Sequence, residues 1–100
     1  MRLGRVVGTV VATQKSEGLT GSKLLVVQGV KMDGTLAEDY TVAVDTVGAG
    51  VGEVVLVVAG SSARLTDKTR DLPVDGAIVA IVDSVESGGK VVYRKEEDRG

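Results

Sequence analysis

Apolar and polar positions alternate along this chain in blocks short enough for strands and too short for helices. β-Branched and aliphatic residues recur over Leu3–Thr13, Lys23–Val30, Asp39–Val44, Glu53–Ala59, Ile78–Val85 and Val91–Arg94. They predict five or six strands with a turn signal about every ten residues. Asp33-Gly34 is the dipeptide favoured in hairpins, and Ser87-Gly88-Gly89-Lys90 predicts a second reversal. Gly4 and Gly8 interrupt the first strand, where glycine marks a bend or a close backbone approach. Gln14–Ser22 is polar and glycine-punctuated, and Thr66–Leu72 is a charged loop that stops at Pro73. Ser61 is placed to cap a single helical turn.

Two of the blocks do not alternate. Glu53–Ala59 and Ala77–Val82 are apolar at nearly every position, the pattern of strands buried on both faces. No amphipathic helical stretch is available to cover the second face. The expectation is that another copy of the chain does so.

Together these features predict an all-β fold. The expected architecture is a small closed antiparallel barrel of five or six strands, OB-like, with one short helical turn. At 100 residues the chain has room for a single domain spanning 1–100, with Lys95–Gly100 as a polar, solvated tail.

Composition narrows the chemistry. Histidine and cysteine are both absent. That removes imidazole bases, thiol nucleophiles, disulfides and zinc–thiolate sites. Aromatics are 2%, both tyrosine (Tyr40 and Tyr93), so the core must be built from Val, Ala, Leu and Ile. Small aliphatic side chains gain less per residue on burial than aromatic ones, which makes association more valuable to stability. The net charge is −2 with scattered Lys and Arg, so no basic footprint for nucleic acid stands out. No apolar run approaches the ~20 residues of a spanning helix, and Met1–Arg5 leads into a strand. The expectation is an intracellular protein with no membrane partner.

Three motifs carry competing readings. Gly48-Ala49-Gly50-Val51-Gly52 invites a phosphate loop but has Glu53 where the dinucleotide fingerprint needs glycine. It also leads into a strand, which lacks the helix N-terminus a pyrophosphate needs. It predicts either a tight turn needing positive φ or a loop where several backbones converge around an axis. Gly18–Lys23 resembles a Walker loop with the wrong order and spacing. Gly60-Ser61-Ser62-Ala63-Arg64 combines small residues with an arginine fork, and predicts a subunit contact or a capped turn.

Asp45, Glu53, Asp75 and Asp83 sit near strand ends, and their expected role is to hold loop amides or to face Arg64 or Arg70. No spacing sets two of them about a substrate. Catalytic, cofactor-binding and metal-binding residues are therefore all assigned as none. An OB-like module for single-stranded nucleic acid or a small ligand is the alternative function. It would need stacking rings and a positive groove.

Leu3-Gly4-Arg5-Val6-Val7-Gly8-Thr9-Val10-Val11-Ala12-Thr13-Gln14-Lys15 resembles the EutN/CcmL family of bacterial microcompartment vertex proteins. The likeness continues through Gly21, Lys23–Leu25, Asp45–Gly52, Gly60–Arg64, Pro73–Asp75 and Ile81–Val85. Gly76 departs from it, since the family mostly has alanine after Pro-Val-Asp. The resemblance implies a non-enzymatic β-barrel that forms a cyclic homopentamer. Such pentamers cap the vertices of a polyhedral shell whose facets are hexameric shell proteins, as in carboxysomes and metabolosomes. It further implies that Gly48, Ala49, Gly50, Val51 and Gly52 border the opening on the five-fold axis. Gly60, Ser61, Ser62, Ala63 and Arg64 would then pack between subunits. The implied location is cytoplasmic, within the shell.

Overall fold

Five strands close on one another in the computed structural model, which describes residues 1–11, 23–59 and 76–97. In chain order they are β1 (Arg2–Val10), β2 (Leu24–Val30), β3 (Leu36–Asp45), β4 (Val54–Ala59) and β5 (Gly76–Ile81). The order around the barrel is β1-β2-β3-β5-β4, with β4 returning to β1. A hairpin of β6 (Ser84–Ser87) and β7 (Lys90–Arg94) follows, ending in a 3-10 turn at Lys95–Glu97. The all-β closed barrel expected from the pattern is present.

One seam differs from the antiparallel expectation. β3 and β5 pair in parallel, Val44 opposite Ala77 and Asp45 opposite Ile78, while the other four seams are antiparallel. The reason is topological. An odd number of strands cannot alternate direction all the way around a closed ring.

The inner face carries one core of Val6, Leu25, Val27, Ala43, Ala49, Val55, Val57 and Ile78. The register puts Val44, Val58 and Ala77 on the opposite, outer face, where they form a second buried cluster with Leu24 and Val79. So β4 and the start of β5 are apolar on both faces because both faces are buried. The expected source of that cover needs correction. Val54, Val55, Val57 and Val58 are all buried within one chain, so β4 does not require a second copy to shield it.

Glycines act where the register demands them. A Cβ on Gly4 would collide with the Val27 side chain, which confirms a close approach inside β1. Gly8 instead follows an irregularity in the β1–β2 ladder that turns Val7 outward.

The strand expected over Ile78–Val85 is broken. Val82 N–H donates to the Val54 carbonyl at 2.8 Å, the chain bends at Asp83, and β6 then pairs with β7 instead of β4. Gly88 and Gly89, at φ 62° and 78°, form the two-residue turn between them. The first residues of the expected solvated tail are also held, since Lys95 N–H donates to the Asp83 carbonyl at 2.8 Å. The expected loops at Gln14–Ser22 and Thr66–Leu72, the stop at Pro73 and the turn capped by Ser61 lie outside the described residues.

Candidate functional site

The glycine loop runs from the end of β3 to the start of β4, and its backbone is held at several points. Asp45 starts it. Its Oδ1 accepts N–H bonds from Val47 at 3.0 Å and Gly48 at 3.1 Å. The Thr46 hydroxyl donates to the Ile78 carbonyl at 2.6 Å, fastening the loop's entry to β5. Ala49 then drops its methyl into the barrel core, fully buried.

At the exit, Gly52 N–H donates to the Val6 carbonyl at 2.8 Å, and Arg5 donates to the Gly52 carbonyl at 2.7 Å. Gly48 and Gly52 stand at φ 76° and 95°, where a side chain would be strained. Gly50 does not. Its φ is not positive, and an added Cβ would only reach ordinary contact with Glu53 Oε1 at 3.5 Å. The tight-turn reading therefore holds at two of the three glycines, and nothing among the described residues requires glycine at the third.

The peptide between Ala49 and Gly50 is gripped at both ends. Lys23 Nζ donates to the Ala49 carbonyl at 2.9 Å, and Gly50 N–H donates to Glu53 Oε1 at 2.6 Å. The other Glu53 oxygen meets Lys95 Nζ at 2.7 Å. Lys95 and the Gly50 amide, in that order, hold the Glu53 carboxyl below its ordinary pKa, and Lys95 is raised chiefly by the same contact. Lys23 also lies 3.8 Å from the buried Asp45 carboxylate.

The expectation that strand-end carboxylates hold loop amides is met at Asp45 and Glu53. The cations beside them among the described residues are Lys23 and Lys95. With the Val47, Gly48, Gly50 and Gly52 N–H groups all bonded within the chain, the loop has little left to offer an anion. What it exposes is apolar, with Val51 64% exposed at its tip.

A second apolar surface lies on the outer face of β1–β3. Gly8, Val26 and Val42 form one row across three strands, and Gln28 and Tyr40 lie in the row beside it. Val42 is 52% and Tyr40 62% exposed, next to the outward Val7. Large apolar side chains gathered on a wet sheet face mark an interaction surface. The sequence pattern does not single out this patch, because Tyr40 and Val42 alternate with polar residues as any half-exposed strand does. The available signal was Tyr40 and Val42 at strand spacing, followed by a Val44 that the fold buries.

Lys95 was missed for a different reason, its partner being distant in sequence. Gly60, Ser61, Ser62, Ala63 and Arg64, the other expected contact, lie outside the described residues. Among the described residues no group of three metal-ligating side chains occurs, and no helix is long and apolar enough to cross a membrane.

Comparison with known proteins gives these surfaces a context. The family model described as "Ethanolamine utilisation protein EutN/carboxysome" matches residues 1–83. The carboxysome shell vertex protein CcmL of Thermosynechococcus vestitus is 50% identical over 95 residues, covering 95% of this chain and 96% of that protein. The solved CcmL of Gloeobacter violaceus superposes with a TM-score of 0.92 at 39% identity, covering 97% of this chain and all of that one. A structure described as the GrpN pentameric microcompartment shell protein from Rhodospirillum rubrum matches with a TM-score of 0.79 at 49% identity. It covers 87% of this chain and 99% of the other.

Proposed function

The chain belongs to the EutN/CcmL family, and from that membership we infer that it is a structural shell protein, a homopentamer capping the vertices of a polyhedral bacterial microcompartment. One observation carries this reading. Relatives matching along nearly the whole chain are shell vertex proteins, and one at 49% identity is pentameric. The protein resides in the microcompartment shell inside the cell. Its work is geometric, because a sheet of six-fold units closes into a polyhedron only where five-fold units are inserted. Hexameric facet proteins are the partners this requires, and a role without catalysis follows from the same geometry.

The contacts between copies belong to this proposal. The exposed face around Val7, Val26, Tyr40 and Val42 meets a neighbouring copy, since a head-to-tail contact with a closing rotation generates a ring. The Gly48–Gly52 loop borders the axis. There an absent side chain at Gly50 serves the neighbours and not the chain's own fold. Gly60–Arg64 packs between subunits, so Arg64→Ala weakens assembly more than folding.

The oligonucleotide-binding alternative lacks support. Of two tyrosines available for stacking on bases, Tyr93 is already engaged by Arg5.

The test has two stages. Native mass spectrometry should find a species at five times the 10.3 kDa of one chain. Co-expression with hexameric facet proteins should give closed shells only when this chain is present. A stable monomer at micromolar concentration overturns the reading.

A further inference from the structure

The peptide unit between Ala49 and Gly50 has a cation at its oxygen and a carboxylate at its N–H. We propose that Lys23 and Glu53 form a latch holding this peptide in one orientation, and that Lys95, a positioning residue in the C-terminal turn, keeps Glu53 in place. The turn after β7 thereby sets the shape of the glycine loop.

The alternative that the latch suppresses is a peptide flip. Rotating the 49–50 unit by half a turn leaves both Cα atoms in place and reverses its dipole. Ala49 stays anchored in the core throughout. The flip would point the Ala49 carbonyl at the Glu53 carboxylate and the Gly50 N–H at the Lys23 ammonium. Both contacts are repulsive. It would also carry Gly50 from its present φ to a positive one, which glycine tolerates and other residues resist. Because glycine at position 50 leaves the flipped state sterically open, the latch is what keeps the observed orientation.

The charged groups around the latch act together. Glu53 faces Lys95 and, farther off, Lys23, while Lys95 also feels Asp83 and Tyr93. Lys23 is shared between the Ala49 carbonyl and Asp45. The Lys95 main chain is itself anchored, its N–H donating to the Asp83 carbonyl, so the side chain starts from a fixed point beside Glu53. The latch lies within a single chain, so it does not depend on the ring.

Residue-resolved amide exchange on the assembled protein tests it. In Lys95→Met, Gly50 N–H exchange should rise at least tenfold while the amides of Leu25, Val27 and Val57 keep their rates. Lys95→Arg should restore the slow rate, and Lys23→Met should accelerate it independently. The decisive variant is Lys95→Met combined with Gly50→Ala. A side chain at position 50 blocks the flipped state, so exchange should return toward the parent rate. Unchanged Gly50 exchange in Lys95→Met overturns the latch. Equal acceleration of the core amides, or no rescue by Gly50→Ala, overturns it too. A monomer with a protected Gly50 amide would refute the assembly reading and leave the latch standing.

Discussion

The guanidinium of Arg5 sits over the ring of Tyr93, 5.8 Å from its centroid, and also donates to the Gly52 carbonyl at 2.7 Å. One side chain on β1 thus joins the barrel, the glycine loop and the β6–β7 hairpin. A two-stranded hairpin is marginal by itself and needs such anchors. A second anchor lies nearby. Gly34, in the β2–β3 turn, packs so closely on Val92 that a Cβ would come within 2.7 Å of its carbonyl oxygen.

Replacing Arg5 by Lys keeps the charge but loses the flat fork that reaches both partners. The expected loss is about 1–2 kcal/mol, combining a charged hydrogen bond with a cation–π contact. Urea unfolding measures it, and an unchanged midpoint would show that the guanidinium fork contributes nothing beyond its charge.

Glu53 makes the fold sensitive to acid. Its carboxyl is held low by Lys95 and the Gly50 amide, so the native state binds the proton less readily than the unfolded chain. The stabilisation is complete above the ordinary carboxylate value of 4.5 and is lost as pH falls through the lowered native one. Lys95 has the opposite sign. Its raised pKa contributes stability below 10.5 that is lost as pH rises through the native value. Unfolding of the parent and of Glu53→Gln, compared across pH, should show a gap at neutrality that closes in acid. A gap independent of pH would remove the ion pair as its cause.

Val42→Lys separates folding from assembly. Val42 is exposed on the outer barrel face, so the fold should change by no more than about 0.5 kcal/mol. The proposed self-contact would have to bury five charges around a ring. Sedimentation should therefore shift from pentamer to monomer with an unchanged far-ultraviolet spectrum. A persistent pentamer would move the contact to another face.

The three loop glycines should divide by mechanism. Gly52→Ala puts a side chain at φ 95° and should cost at least about 1 kcal/mol in the barrel itself. Gly50→Val meets no backbone penalty within the chain, yet it should disrupt the ring or narrow its opening while the barrel still folds. Assembly and solubility left intact by Gly50→Val would remove the loop from the axis.

Strand positions were legible because the side-chain period of two survives in local sequence. Leu25 and Val27 point inward while Val26 and Gln28 point outward, as alternation requires. The same logic misplaced the cover for β4. Unbroken apolar runs signal burial on two faces without saying whose atoms provide it. Nor did local pattern reveal the break after Ile81, because Val82 and Val85 continue the apolar rhythm while the backbone leaves the barrel at Asp83.

The amino-acid order alone determined the all-β class, the turns at Asp33-Gly34 and Gly88-Gly89, and the absence of histidine and thiol chemistry. These depend on backbone preferences and composition, which neighbours in sequence settle. The seven strands among the described residues exceed the five or six expected, because the Ile78–Val85 run divides in two. Tertiary structure decided the parallel β3–β5 seam and the contact between Arg5 and Tyr93. It also decided the grip of Lys23, Glu53 and Lys95 on a single peptide. Each of these joins residues that are brought together only once the barrel closes, and the chain's local preferences are indifferent to which distant partner arrives.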